Sequence, residues 1–60
     1  MGTVKILFVD GSTEKFDLRK FDFRIVYDGR ILEVYDRENK YPLHVFPTGF
    51  IKKISVKNKR

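Results

Sequence analysis

Residues 26–36 read VYDGRILEVYD, with the triplet Val-Tyr-Asp at both ends and Asp28-Gly29 between them. A two-residue type I′ hairpin turn needs positive φ at both central positions, which Gly adopts freely and Asp tolerates. Placing that turn at Asp28-Gly29 sets a register for the flanking segments. Val26 then faces Ile31, Ile25 faces Leu32, Arg24 faces Glu33, Phe23 faces Val34 and Asp22 faces Tyr35. Apolar side chains meet on one face and an opposite-charge pair meets on the other, whereas a slip of one residue would mix the faces. The two triplets therefore do opposite jobs. Tyr27 is predicted on the core side at the hairpin tip and Tyr35 on the outer face.

The alternation extends outward from this hairpin. Upstream, TVKILFV (residues 3–9) sets Val4, Ile6 and Phe8 against Lys5, Leu7 and Val9, and Phe16 and Leu18 resume the pattern after the turn residues Asp10-Gly11-Ser12-Thr13. Two registers are open for that first hairpin. A three-residue loop sets Ile6 opposite Phe16 and Lys5 opposite Asp17; a five-residue loop sets Phe8 opposite Phe16 and Ile6 opposite Leu18. Downstream, a turn around Glu38-Asn39 leads into KYPLHVF. With Tyr35 facing Pro42, the expected pairs are Val34 with Leu43 and Leu32 with Val45 inside, and Glu33 with His44 and Ile31 with Phe46 outside. Pro47-Thr48-Gly49 breaks the chain again, and FIKKISVK is read as a closing strand preceded by a short turn or 3₁₀ element.

Sixty residues make one domain, and a chain of this size buries only about 60% of the surface its unfolded form exposes. Six Phe and three Tyr supply a dense core, and the 42% hydrophobic fraction is that of a globular chain. Ala and Gln are absent while β-branched and aromatic residues are plentiful, which favours strand over helix. The expected fold is all-β: a small SH3-like barrel of five to six short antiparallel strands, with a β-hairpin, a three-stranded meander and a closing strand. Residues 1–57 form the domain and residues 58–60 a basic tail.

Cysteine is absent, no apolar run approaches the roughly 20 residues that span a bilayer, and the start of the chain has no signal-like apolar stretch. These features predict a cytoplasmic protein without membrane attachment. The abundance of Lys beside few Asn and no Gln or Cys is thermophile-like in character. One His, two Ser and no Cys give nucleophilic catalysis little to work with, and His44 with a carboxylate is too small a set for a closed zinc site. The expectation is a binding module without enzymatic activity, cofactor, metal or small-molecule substrate.

The formal charge is +5. Through Ile51 the basic and acidic side chains balance, and the excess lies in Lys52, Lys53, Lys57, Lys59 and Arg60. On the outer face of the meander the expected registers stack three rows: Val26, Ile31 and Phe46; Arg24, Glu33 and His44; Asp22, Tyr35 and Pro42. A row of Val, Ile and Phe on an outer face suits either a cover from the chain itself or a contact with another molecule.

Thr3-Val4-Lys5, the segment DGSTEKFDLRKF, and Gly29-Arg30-Ile31-Leu32 leading to Tyr35-Asp36 resemble the small DNA-binding chromatin proteins of thermophilic archaea. These are SH3-like barrels of similar size. The resemblance implies a triple-stranded sheet laid on the minor groove, with Val26 and Ile31 at the positions of the two apolar side chains that wedge between base steps. The family presents Trp, Lys and Arg on that face and ends in a helix. This chain has no Trp, places Asp22, Asp28 and Glu33 on or beside the face, and ends in a strand-like segment.

Two functions follow as expectations. The first is weak, largely sequence-independent nucleic-acid binding, to DNA or RNA. Arg24, Arg30, Lys52, Lys53, Lys57, Lys59 and Arg60 would meet phosphates, and Val26, Ile31, Tyr35, His44 and Phe46 would supply apolar or stacking contact. The second is a protein-interaction or homodimer module that buries the row of Val26, Ile31 and Phe46.

Overall fold

A computed structural model describes residues 2–58 and contains six strands. They are β1 (Gly2–Phe8), β2 (Thr13–Asp17), β3 (Phe21–Val26), β4 (Ile31–Asp36), β5 (Pro42–Pro47) and β6 (Ile51–Asn58). A 3₁₀ turn over Thr48–Phe50 precedes β6, so residues 51–58 are strand as the alternation predicts, reaching one residue into the expected tail. The strands form two antiparallel three-stranded sheets, ordered β2-β1-β6 and β3-β4-β5. Among the described residues no hydrogen-bonded ladder joins the two sheets, so the arrangement is a pair of facing sheets, not a closed barrel.

The central strands β1 and β4 carry the core because each has a neighbour on both sides. Val4 and Ile6 of β1, Phe16 of β2, and Leu32 and Val34 of β4 are buried, with Ile6 and Val34 fully so. Phe16 is the hub of the aromatic packing. Its ring lies 5.3 Å from Phe21, 5.8 Å from Phe23 and 6.2 Å from Phe46, and Phe8 meets Phe46 at 5.3 Å. Tilted and edge-on aromatic pairs at these separations add to the burial term, which matters in so small a core.

The β3–β4 register is the predicted one at all five expected pairs. Asp28 and Gly29 have φ of 54° and 86°, and the Arg30 amide donates to the Tyr27 carbonyl at 3.1 Å, which is type I′ geometry. Tyr27 itself also has a φ of 54°. That breaks the alternation one residue early, and its ring swings into solvent instead of the core, leaving it 74% exposed.

Two registers differ from expectation. In the first hairpin, Val4 faces Phe16, Lys5 faces Lys15 and Leu7 faces Thr13, so both expected registers are wrong. The loop does hold three residues, but they are Val9, Asp10 and Gly11. The Phe8 amide donates to the Ser12 carbonyl at 2.9 Å, and the Gly11 amide to the Phe8 carbonyl at 3.0 Å. Gly11 supplies the left-handed residue that ends such a loop, with a φ of 90°, and Asp10 accepts from both the amide and the hydroxyl of Ser12.

In the second case, Tyr35 faces Pro42 as expected, but a bulge then leaves Leu43 unpaired. Val34 faces His44, Glu33 faces Val45, Leu32 faces Phe46 and Ile31 faces Pro47. His44 and Phe46 therefore lie on the inner side of the sheet and Val45 on the outer side. Pro42 has no amide to donate, which favours an irregular ladder there. The bulge also lets Phe46 reach Phe8 and Phe16, a gain in aromatic packing that outer placement would forfeit.

Candidate nucleic-acid interface

The corrected first hairpin determines how the cations are distributed. In the β2-β1-β6 sheet, Val4 and Ile6 point inward, so Thr3, Lys5 and Leu7 point outward. The ladders set Lys15 directly across from Lys5 on one side and Ser55 on the other. Lys53 faces Leu7 and Lys57 faces Thr3, so both share that outer face. Four lysines thus gather on one face, Lys15, Lys5, Lys53 and Lys57, and all four are exposed. Strand spacing puts Lys15 about 10 Å from β6, and Lys53 and Lys57 stand about 13 Å apart along it.

The acidic groups near this face are few. Asp17 lies at its corner, but it is engaged by Arg19, whose amide donates at 2.9 Å and whose guanidinium lies 3.2 Å away. The Arg19 side chain and amide hold the Asp17 carboxyl below its usual range, and the same contact raises Arg19. Glu14 faces Ile6 and so projects from the other side of the sheet. A directly opposed Lys5–Lys15 pair is unfavourable for the fold, since like charges across a ladder repel. The sequence could have relieved that repulsion with a single acidic residue and does not.

The residues expected to bind are divided by the fold. Lys53 and Lys57 join Lys5 and Lys15, which sequence reading did not single out. Lys52 is the unpaired residue of a bulge where β6 shifts register against β1, between the pairs Leu7–Lys53 and Phe8–Ile51. Lys59 and Arg60 lie outside the described residues.

Arg24, Val26, Ile31 and Tyr35 sit together on the outer face of the other sheet, β3-β4-β5. There the Arg24 guanidinium lies 5.4 Å from the Tyr35 ring centre, and the Tyr35 hydroxyl donates to Glu33 at 2.7 Å. That hydrogen bond, with some desolvation and the charge of Glu33, raises the Tyr35 phenol above its ordinary value. Arg24 is thus paired with an aromatic ring beside Asp22 and Glu33, and the Arg37 guanidinium lies 4.0 Å from Asp22, so this face mixes acid and base. Arg30 stands exposed at the hairpin tip, where its carbonyl accepts from the Thr48 amide at 2.8 Å.

His44 and Phe46 belong to neither face. Their rings stack within 5° of parallel at 6.0 Å, and His44 lies 5.5 Å from Phe16, on the inner side of the sheet. The expected apolar row of Val26, Ile31 and Phe46 is in fact Val26, Ile31 and Pro47, beside Val45. Among the described residues no group of three His, Cys, Asp or Glu comes together as a metal-binding set. Among the same residues no helix is long and apolar enough to cross a membrane.

Comparison of the chain with family models, curated proteins and solved structures finds no match.

Proposed function

We propose that this chain is a non-enzymatic module that binds nucleic acid weakly and largely without regard to sequence, through the outer face of the β2-β1-β6 sheet. The observation that carries this reading is the assembly of Lys5, Lys15, Lys53 and Lys57 on one sheet face from three strands, with Lys5 and Lys15 directly opposed. A charge arrangement that opposes folding and is left unrelieved is best explained by a polyanionic partner, whose phosphates would compensate all four cations while releasing their own counterions. Hydroxyls from Thr3, Thr13 and Ser55 stand among the lysines on the same face and suit phosphate oxygens.

This placement differs from the one the chromatin-protein resemblance implies. Val26 and Ile31 lie on the outer face of the opposite sheet, where Asp22 and Glu33 offset the charges of Arg24 and Arg37 and leave no net cationic surface for a backbone. Phosphate contact without base wedging is therefore the proposed mode. The two facing sheets, hairpin plus meander plus returning strand, suit an open form of an SH3-like fold. A cytoplasmic setting accords with the lack of cysteine.

Fluorescence anisotropy with a labelled duplex and a labelled single strand tests the proposal. Wild type is expected to bind both at about 50 mM salt, and replacement of the four lysines by Ala is expected to abolish binding of both. Binding that survives the fourfold replacement would refute it.

A further inference from the structure

The inner sides of the two sheets do not cover each other completely. Between the edge strands β3 and β6 lies an open groove of about 280 Å³, lined by Val4, Phe23, Ile25, Leu32, Ile54 and Val56. Its walls are almost wholly apolar, yet Ile25, Ile54 and Val56 are 62%, 43% and 60% exposed. These side chains point the way core residues should point, beside buried Val4 and Leu32, yet are only partly covered. Both strands that border the groove also pair on one side only, so each presents an unused row of backbone donors and acceptors beside it.

We infer that a second copy of this chain fills the groove, with β3 of each copy lying beside β6 of the other. Ile25 and the pair Ile54 and Val56 expose apolar surface on the inner sides of both sheets, which a partner seated between β3 and β6 would cover.

Charge disfavours β6 against its own copy, and β3 against its own copy, which can set Asp22 against Arg24, leaves the β6 edge open. β6 against its own copy, centred on Ser55, sets Lys53 against the partner's Lys57 twice over, a repulsive arrangement. β3 against β6 with inner faces matched and Arg24 opposite Ser55 does the reverse. In an antiparallel pair Asp22 meets Lys57, Phe23 meets Val56 and Ile25 meets Ile54. In a parallel pair Asp22 meets Lys53, Phe23 meets Ile54 and Ile25 meets Val56. In both directions apolar side chains meet and an acid meets a lysine. A two-fold axis repeats the contact, so the interface closes on itself and does not propagate. The groove opens on the inner sides of the sheets, while the ion pair at its rim draws on Lys53 or Lys57 of the lysine face, so the test uses the chain alone, without nucleic acid.

Sedimentation equilibrium on the whole chain, from about 10 μM to 1 mM, tests it. Wild type is expected to be a dimer, and Ile25→Asp and Val56→Asp are expected to be monomers with an unchanged circular-dichroism spectrum, because both side chains are more than half exposed in the single copy. Asp22→Lys, which leaves the groove intact, is expected to weaken the dimer roughly tenfold. Adding Lys57→Asp to it restores an antiparallel dimer, and adding Lys53→Asp a parallel one. A wild type that stays monomeric throughout the range overturns the inference. So does a dimer that both groove substitutions leave intact.

Discussion

Replacing Lys15 by Glu should make the protein more stable and a poorer binder at once. Lys15 faces Lys5 directly across the β1–β2 ladder, with Ser55 completing the row. Exchanging a like-charge pair for an opposite-charge pair at a directly facing position is worth about 0.2 to 1 kcal/mol in exposed sheets. In a domain of this size that corresponds to a rise in melting temperature of roughly 1 to 8 °C. The binding arithmetic runs the other way. Four lysines on B-form DNA give a log–log salt slope near −3.6, so affinity falls roughly 150-fold between 50 and 200 mM salt. Losing one cation brings the slope to about −2.7 and the fall to roughly 40-fold. Thermal denaturation by circular dichroism reads the first effect and an anisotropy salt titration reads the second. A melting temperature that drops would refute the register that opposes Lys5 to Lys15. A slope that stays at the wild-type value would refute a role for Lys15 in phosphate contact.

Further outcomes follow from other parts of the fold. Ile6 is fully buried at the centre of β1, and Ile6→Ala should cost about 2 to 5 kcal/mol, a large share of the roughly 3 to 9 kcal/mol typical of 60 residues, measured by urea denaturation. Gly29 has a φ of 86° in the β3–β4 turn, so Gly29→Ala should destabilise by about 1 kcal/mol without altering the sheet signature in circular dichroism. Asp10 and Asp17 have carboxyls held below the ordinary value of 3.8, chiefly by the Ser12 hydroxyl and the Arg19 side chain. Their contribution is therefore complete above that value and lost as pH falls through the depressed folded-state values. The melting temperature should be flat above pH ~5 and decline in strong acid, and Asp10→Asn with Asp17→Asn should flatten that decline.

The parts of the fold legible in the sequence are those set by local chemistry. Asp28-Gly29 specifies one turn, and the whole β3–β4 register follows from it. Alternation through Ile54 and Val56 marks β6 as a strand. The first hairpin is harder because DGST offers several places to turn, and the choice rests on which residue takes the left-handed conformation; Gly11 does so at the third loop position. The β4–β5 pairing is misread because a bulge at Leu43 leaves no periodic trace, yet it moves His44 and Phe46 from the outer face to the inner one.

The lysine face is hidden for a different reason. Lys53 and Lys57 read as part of the basic excess at the end of the chain, and Lys5 as one charge in a neutral body. Only the long-range pairing of β1 with β6 sets them side by side. The signal available beforehand was parity. In β1 and β6 the lysines at 5, 53 and 57 alternate with apolar residues at 4, 6, 54 and 56, so a pairing that buries the latter must gather the former.

The most direct test of the lysine face is a backbone amide chemical-shift titration with a short DNA duplex at low salt. The expected result is that the largest perturbations fall on Lys5, Lys15, Lys53, Ser55 and Lys57, and that they disappear as salt is raised. Perturbations centred on Arg24, Val26, Ile31 and Tyr35 instead, or none at all, would contradict the account.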